Sequence, residues 1–212
     1  MRAIIFDLDG TLLNTLDDLY TSVSYALTTH GLALRTRAEV RSFLGNGVKR
    51  LIEQSVPTGT SVSKTEEVLA TFRQHYLQHS LDQTRPYNGV EAMVKQCKSR
   101  GLKTAIVSNK PNAAVQDLHH RFFHDSIDLA IGETPDVRRK PAPDMIVNAM
   151  KRLGVEPDES IYMGDSEVDM QTAINSNLKF IAVSWGFRNR DTLEKLNIKH
   201  IIDTPAQCFE LF

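Results

Sequence analysis

The fold of this chain is decided near its start by the stretch Ile4-Ile5-Phe6-Asp7-Leu8-Asp9-Gly10-Thr11. The apolar residues predict a short buried strand, and successive side chains of a strand point to opposite faces. Asp7 and Asp9 therefore emerge on the same side, at the carboxyl end of the strand, which is where open α/β sheets bind ligands. Two carboxylates this close repel each other unless a cation or a shared proton relieves them. The pair therefore indicates chemistry rather than a structural role.

Downstream of residue 84, short β-rich runs alternate with amphipathic helical patterns. Buried strands are predicted at 103–108, 160–163 and 179–183, with weaker strand candidates at 127–131 and 200–202. Gly101 and Gly154 follow helical patterns and predict left-handed helix stops, and Asn177 tolerates the same conformation. This alternation predicts an α/β fold with a Rossmann-like, doubly wound, mainly parallel sheet that has helices on both faces.

Residues 16 to about 80 interrupt this alternation with three apolar stripes at helical spacing and no strand pattern. A block of helices between the first strand and the remaining α/β units predicts an inserted helical subdomain. We expect an α/β core domain over residues 1–14 and 83–212, and a helical domain over residues 15–82 inserted after the first strand.

The composition sets limits on partners and on location. The 212 residues are 41% hydrophobic and 24% charged, with a formal net charge of −1, which gives no reason to expect a nucleic-acid or membrane partner. Cys97 and Cys208 match no zinc or disulfide spacing and are interpreted as reduced, partly buried hydrophobes. No apolar run approaches the ~20 residues that span a bilayer. Because the first strand begins at residue 3, there is no room for a signal peptide, and we expect a cytoplasmic protein.

Four polar groups follow predicted strands or precede a predicted helix along the chain, and a parallel sheet would bring them to one edge. They are Asp7 with Asp9, Ser108 with Asn109, Lys140, and Asp165 with Asp169. Together they offer carboxylates for a hard divalent cation, a hydroxyl donor, backbone amides at a turn and a fixed ammonium. That set is typical of a site that binds and transfers a phosphoryl group.

With these four groups in this order, the chain resembles the haloacid dehalogenase superfamily of phosphotransferases. The matching motifs are Asp7-x-Asp9-Gly10-Thr11, Ser108, Lys140 and Gly164-Asp165-x-x-x-Asp169, and the helical insertion matches the family's mobile cap. Within the superfamily the chain looks most like the phosphoglycolate phosphatase branch. That likeness depends on Gly45-Asn46-Gly47, Pro86-Tyr87-x-Gly89-Val90, Asn109-Lys110-Pro111 and Trp185-Gly186-Phe187.

The resemblance implies a Mg²⁺-dependent phosphatase that hydrolyses a small phosphomonoester, with 2-phosphoglycolate as the favoured substrate. Asp7 would be the nucleophile that forms an aspartyl-phosphate, and Asp9 the general acid and base. Lys140 would neutralise phosphoryl charge and restrain Asp7, with Asp169 supporting Lys140 or the metal shell.

The resemblance also implies the metal and substrate ligands. Mg²⁺ would be held by the Asp7 carboxylate, the main-chain carbonyl of Asp9 and Asp165. Ser108 and the Asn109 amide would bind phosphoryl oxygens. In the cap, Gly45, Asn46 and Gly47 would contact the substrate. The expected partner is a small phosphorylated metabolite, and the protein would be a monomer or a homodimer.

Several alternatives remain beside this interpretation. An EF-hand beginning at Asp7 is excluded, because it needs glycine and glutamate where the chain has Leu12 and Asp18. A β-phosphoglucomutase-like mutase, a pyrophosphatase or a nucleotidase would use the same motifs. A phosphonate hydrolase usually lacks an acid at the Asp9 position, and a scaffold protein would have lost one of the reactive residues.

Other interpretations concern single motifs. Asp165 and Asp169 could decorate a helix amino terminus, where the dipole favours carboxylates. The segment Asn109-Lys110-Pro111 could be only a loop, because proline ends a strand. The histidines receive no role.

Overall fold

The computed structural model of the protein describes residues 1–211 and places the first strand in the middle of a parallel sheet. In chain order, the strands of the described residues are β1 (Ala3–Phe6), β2 (Leu13–Asn14), β3 (Arg85–Pro86), β4 (Lys103–Pro111), β5 (Leu129–Glu133), β6 (Ser160–Gly164), β7 (Lys179–Val183) and β8 (Ile201–Ile202). Six of them form the sheet β5-β4-β1-β6-β7-β8, in which every neighbouring pair is parallel. The predicted α/β fold class is confirmed.

The helices occupy the segments between these strands. They are α1 (Leu16–Thr29), α2 (Arg37–Phe43), α3 (Gly47–Ser55), α4 (Val62–His79), α5 (Val90–Ser99), α6 (Asn112–Phe122), α7 (Asp144–Leu153), α8 (Glu167–Asn175) and α9 (Arg190–Lys195). Two 3-10 helices cover Pro157–Glu159 and Pro205–Glu210. Helices α5 and α7 end near Gly101 and Gly154, and α8 ends near Asn177. All three of these residues have positive φ, so the predicted helix stops are confirmed.

Strand β1 consists of apolar residues, and every one of its side chains is buried. One face of the strand packs on α7, where Ile5 shares a core cluster with Met145 and Ile146. The neighbours β4 and β6 pair with β1 in parallel register, so the carboxyl ends of these central strands lie at the same edge of the sheet. Residues that follow the strands are thereby brought together there.

The sheet differs from its sequence prediction at three strands. Strand β4 runs past the predicted end at Ser108 to Pro111, with a shift of register after Val107. Strand β5 begins at Leu129 rather than at residue 127, and β8 has only two residues. Pairing with neighbouring strands, which a single sequence does not display, sets these ends.

Close contacts divide the chain into two units. The first contains residues 1–13 and the chain from residue 86 onward, and the second contains residues 14–85. Strands β2 and β3 pair as a two-stranded ribbon where the chain passes between the units, and the sequence pattern did not predict this ribbon. The action of the second unit as a mobile cap stays a prediction.

The second unit contains helices α1 to α4, one more than the three apolar stripes predicted. The additional helix is α2, in which only Val40 is buried, so it lacks an apolar stripe. Its signal is a capping box instead, in which Thr36 and Glu39 exchange hydrogen bonds at the amino terminus. In the same unit, the buried Asp18 carboxylate accepts hydrogen bonds from the backbone amides of Gln83 and Thr84.

Two further expectations concern the cysteines and the membrane. Cys97 and Cys208 are free and buried, and burial raises the pKa of each thiol to about 12. Both therefore behave as small hydrophobes, as predicted. Among the helices of residues 1–211, none combines the length and the apolarity that crossing a bilayer requires.

Candidate active site

Asp7 lies at the carboxyl end of β1, in the centre of the sheet edge. Its backbone amide donates to the carbonyl of Met163 at 2.8 Å, which extends the ladder with β6 by one residue. The Asp7 side chain is buried, and its Oδ1 accepts a hydrogen bond from Lys140 Nζ at 2.7 Å. The sheet therefore fixes the Asp7 backbone, and a buried cation fixes its carboxylate.

Lys140 joins the residues that the sequence analysis placed at this edge. Its ammonium donates three hydrogen bonds, to Asp7 Oδ1 at 2.7 Å, to Asp169 Oδ1 at 2.8 Å and to Tyr162 Oη at 2.8 Å. These contacts match the three donors of an ammonium group. The backbone of Lys140 is held as well. Asn109 Oδ1 accepts from the Lys140 amide at 2.8 Å, and Asn109 Nδ2 donates to the Lys140 carbonyl at 3.0 Å.

Asp169 has two roles at the amino terminus of α8. Its Oδ2 accepts hydrogen bonds from the backbone amides of Asp165 and Ser166 and from Ser166 Oγ, while its own amide donates to Ser166 Oγ. This capping box agrees with the alternative that Asp169 decorates a helix start. The other carboxylate oxygen, Oδ1, accepts from Lys140 and from Tyr162 Oη at 2.9 Å. The helix cap therefore also aligns the lysine.

Asp165 lies in a position where the backbone leaves little room. Its Oδ2 accepts a hydrogen bond from the Phe187 amide at 2.6 Å. Gly186 passes so close that a Cβ at that position would lie 2.6 Å from Asp165 Oδ2 and would also meet the carbonyl of Gly10. Glycine is therefore required at 186 for the Asp165 carboxylate to keep its place. This contact gives the Trp185-Gly186-Phe187 segment a structural reason.

Burial and the surrounding charges shift the ionisation of this cluster. Burial, opposed by Lys140, raises the pKa of Asp7 to about 7. Burial and the neighbouring Asp169 raise the pKa of Asp165 well above its usual value. For Asp169, burial is outweighed by Lys140 and by hydrogen bonds, so its pKa is lowered. Burial also disfavours the Lys140 ammonium, but Asp169 and Asp7 outweigh it and raise the pKa of Lys140.

These carboxylates fit a divalent metal ion. Oxygen atoms of Asp7, Asp165 and Asp169 lie within 4.8 Å of one another, and all three residues are buried. When all three are ionised, the single positive charge of Lys140 leaves a formal charge of −2 in a buried space. Hard cations such as Mg²⁺ prefer carboxylate oxygens and would balance that charge. Because Asp169 is already engaged by Lys140, Tyr162 and Ser166, Asp7 and Asp165 are the better ligands.

The remaining predicted residues of the first unit lie at the end of β4 and after β1. Ser108 is buried, and its Oγ accepts a hydrogen bond from the Lys110 amide at 3.2 Å. Asp9 is partly exposed, and both of its carboxylate oxygens accept from Lys110 Nζ, at 3.1 and 3.3 Å. The side chain of Asn109 clamps the main chain of Lys140, a role that the sequence analysis did not propose for it.

The predicted substrate-binding residues of the second unit lie at the start of α3. Asn46 is the amino-terminal cap residue of α3 and makes no side-chain capping hydrogen bond. Gly45 and Gly47 have φ values of 116° and 77°, which explains glycine at both positions. The substrate contacts of these residues stay predictions.

Sequence reasoning missed two residues of this cluster, Tyr162 and Lys110. Tyr162 lies two residues before Gly164 in β6, and Lys110 lies two residues after Ser108 in β4. In a strand, residues at this spacing point to the same face. This spacing relates each residue to a predicted motif, but Asp9 and Lys140, the partners that give them a role, lie at remote positions in the chain.

Comparison with known proteins places this site in a family. Residues 4–183 match the family of haloacid dehalogenase-like hydrolases. A curated phosphoglycolate phosphatase of Cereibacter sphaeroides (strain ATCC 17025) is 33% identical over 89% of this chain and 88% of its own length. Another, from Aquifex aeolicus, is 29% identical over 88% of this chain and 86% of its own length.

Solved structures support the same placement. A crystal structure from Lactobacillus delbrueckii subsp. bulgaricus, provisionally named a phosphoglycolate phosphatase, is 37% identical with a TM-score of 0.93 and covers 99% of this chain and 97% of its own. CbbY from Rhodobacter sphaeroides, at 20% identity, has a TM-score of 0.76 over 98% of this chain and 96% of its own, and shares the fold. The chain therefore belongs to the haloacid dehalogenase-like hydrolases, and within them to the branch of phosphoric monoester hydrolases that resembles phosphoglycolate phosphatase.

Proposed function

We propose that the protein is a Mg²⁺-dependent phosphatase that hydrolyses 2-phosphoglycolate, or a closely similar small phosphomonoester, through an aspartyl-phosphate on Asp7. The names of its relatives support the substrate, and the geometry of the first unit supports the chemistry. The observation that carries the proposal is the contact between Lys140 Nζ and Asp7 Oδ1, in a buried cluster that also contains Asp165 and Asp169.

In the first step, Asp7 attacks phosphorus while the bond between phosphorus and the ester oxygen breaks. Lys140 engages Oδ1, so the attack falls to Oδ2, and the new bond joins that oxygen to phosphorus. Asp9, in its protonated form, gives its proton to the departing alkoxide. Ser108 and the Asn109 amide bind phosphoryl oxygens. The products of this step are an alcohol and a phosphorylated Asp7.

In the second step, water attacks the phosphorus of the aspartyl-phosphate. Asp9 takes a proton from that water, the bond between Asp7 and phosphorus breaks, and inorganic phosphate leaves. The Asp7 carboxylate, the Asp9 carbonyl and Asp165 would hold Mg²⁺, whose positive charge would offset the repulsion between an anionic nucleophile and an anionic phosphate. Asp9 ends the cycle with the proton it had at the start.

The test is a phosphate-release screen over small phosphoesters with Mg²⁺ present, including 2-phosphoglycolate, sugar phosphates, nucleoside monophosphates and pyrophosphate. We expect 2-phosphoglycolate to give the highest kcat/KM. Asp7→Asn keeps the side-chain size and removes the nucleophile, so turnover should fall at least ~10³-fold. The matched control is Asp158→Asn, an exposed carboxylate of the 3-10 helix at 157–159, which should retain full turnover.

Two results would contradict the proposal. Turnover retained in Asp7→Asn would rule out the covalent mechanism. Conversion of a sugar phosphate that requires a bisphosphate activator and releases no phosphate would identify a mutase instead. For location and assembly, we expect a cytoplasmic enzyme that is a monomer or a homodimer.

A further inference from the structure

Asp9 occupies a position that needs a second group to hold its side chain. It follows the end of β1, in a segment where the backbone turns back to form an isolated bridge between Asp9 and Leu13. Its side chain is 20% exposed, so solvent reaches part of the carboxylate. A general acid and base must stand within hydrogen-bond reach of the proton that it transfers.

Lys110, which lies on the neighbouring strand β4, restrains the Asp9 side chain. Its side chain is 3% exposed, and its ammonium lies 3.1 Å from Asp9 Oδ1 and 3.3 Å from Asp9 Oδ2. An ammonium that contacts both oxygens restrains the rotation of the carboxylate as well as its position. Because a buried ammonium is costly without a partner, the pairing persists where an exposed ion pair would exchange with water.

The backbone of Lys110 is itself fixed. Its amide donates to Ser108 Oγ at 3.2 Å, and Pro111, the next residue, pairs with Glu133 of β5 after the irregular register of β4. Gly132 of β5 lets this segment approach closely, since a Cβ at that position would lie 2.7 Å from the Lys110 carbonyl oxygen. The lysine therefore extends from an anchored strand end and not from a mobile loop.

We propose that Lys110 is a positioning residue that holds the Asp9 carboxylate in its reactive place. The inference deepens the proposed function, because it requires Asp9 to be the proton-transferring group. Lys110 acts through Asp9 and not by touching the phosphoryl group, whose charge Lys140 neutralises. The segment Asn109-Lys110-Pro111 is then part of the site and not only a loop.

The consequence for rate follows from geometry. Displacing a catalytic group by about 1 Å can lower the reaction rate ~10²-fold. Without the Lys110 ammonium, Asp9 is present but poorly placed. Lys110→Met, which keeps the length and apolar stem of the side chain, should lower kcat for an alkyl phosphate ~10- to 100-fold with a small change in KM. Lys110→Arg keeps the charge and should recover part of the loss.

The decisive experiment is a double-mutant cycle with Asp9→Asn. If Lys110 acts only through Asp9, Lys110→Met should lower the turnover of Asp9→Asn less than about 2-fold, because the group it positions is already absent. If the fold-losses in turnover of the two single variants multiply in the double variant, the inference is overturned, and Lys110 has a contact of its own with the substrate.

A second measurement separates positioning from general damage. With 4-nitrophenyl phosphate, whose leaving group needs no proton, Lys110→Met should retain a rapid burst of 4-nitrophenolate while steady turnover falls, because Asp9 is still needed as the base for hydrolysis. Loss of the burst with retained folding would overturn the inference. Lys98→Met, a lysine whose ammonium contacts the Asp125 carbonyl, is the control and should keep full turnover.

Folding is checked by the melting temperature, and Lys110→Gln replaces the Met variant if that variant melts early. The outcomes distinguish the two proposals. If Asp9→Asn loses turnover and neither Lys110→Met nor Lys110→Gln does, only the role of Lys110 is wrong. If Asp9→Asn keeps full turnover, the proposed mechanism is wrong and the inference falls with it.

Discussion

Binding of Mg²⁺ should stabilise this protein more strongly at pH 8 than at pH 5.5. The reason is that a metal ion competes with protons for the buried carboxylates, and burial raises the pKa of Asp7 to about 7. At pH 8 about 90% of Asp7 is ionised in the metal-free protein, and at pH 5.5 only about 3% is. The raised pKa of Asp165 acts in the same direction.

The size of the effect follows from that ratio. A roughly 30-fold smaller ionised fraction weakens the apparent affinity for Mg²⁺ by the same factor, which corresponds to about 2 kcal/mol of lost stabilisation at a fixed, near-saturating concentration. For a chain of this length, 1 kcal/mol moves the melting temperature by about 2–4 °C. The shift produced by Mg²⁺ should therefore shrink by about 4–8 °C between pH 8 and pH 5.5.

Without Mg²⁺, the same raised pKa gives the stability of the protein a pH dependence of the opposite direction. The pKa of Asp7 is about 7 in the folded state and near its ordinary value of 3.8 when unfolded. Between these values the folded state retains a proton that the unfolded state has lost, so stability falls as pH rises. The contribution is complete below the unfolded pKa and is lost as pH passes through about 7. Mg²⁺ should remove most of this decline.

The assay is differential scanning fluorimetry with and without Mg²⁺ across the pH range. Asp165→Asn removes one ligand and should abolish most of the Mg²⁺ shift at pH 8. Asp158→Asn removes an exposed carboxylate and should leave the shift unchanged. An Mg²⁺ shift that is equal at both pH values, or that survives in Asp165→Asn, would refute the placement of the metal at these carboxylates.

Two further predictions test side-chain contacts, one within each of the two units. Asp18→Asn should lower the free energy of unfolding of residues 14–85 in urea by about 2–3 kcal/mol. The side chain of asparagine has a single acceptor oxygen, so it cannot accept every hydrogen bond that Gln83 and Thr84 donate to the Asp18 carboxylate. As a control, Asp17→Asn removes a carboxylate from a partly exposed ion pair and should lower the free energy of unfolding by less than about 1 kcal/mol. Equal losses in the two variants would contradict the structural role given to Asp18. Gly186→Ala should reduce both turnover and the rise in melting temperature that Mg²⁺ produces, because the alanine Cβ displaces the Asp165 carboxylate. A wild-type affinity for Mg²⁺ in this variant would show that the backbone moves instead.

Much of the fold could be predicted from the sequence because local patterns agree with the tertiary structure. The apolar run of β1 predicted a buried strand, and the alternation of strands and helices predicted a parallel sheet. Helix α2 was missed because only Val40 is buried in it. Ribbon β2–β3 was missed because its strands have two residues each, too few for a period to show.

The candidate site shows a different limit of sequence reasoning. The convergence of strand ends at one edge of a parallel sheet predicted that Asp7, Lys140 and Asp169 would come together, and Lys140 Nζ lies at hydrogen-bond distance from both carboxylates. Lys110 could not be distinguished from a surface lysine, because its partner Asp9 lies at a remote position in the chain. Tyr162 likewise appeared to be an ordinary buried strand residue, although its hydroxyl group joins Lys140 to Asp169. Long-range pairing decided both cases.

The repulsion between Asp7 and Asp9 is relieved by two separate lysines. Lys140 serves Asp7 but shares its charge with Asp169 and with the Tyr162 hydroxyl, whereas Lys110 contacts both oxygens of Asp9. The two carboxylates therefore differ in environment although they are close neighbours in one strand extension. Asp7 is buried, restrained through one oxygen and adjacent to Asp165, which suits a nucleophile that also binds a metal ion. Asp9 is more open to solvent, which suits a group that exchanges protons with a leaving group and with water. This asymmetry gives a physical reason for the two roles that we propose.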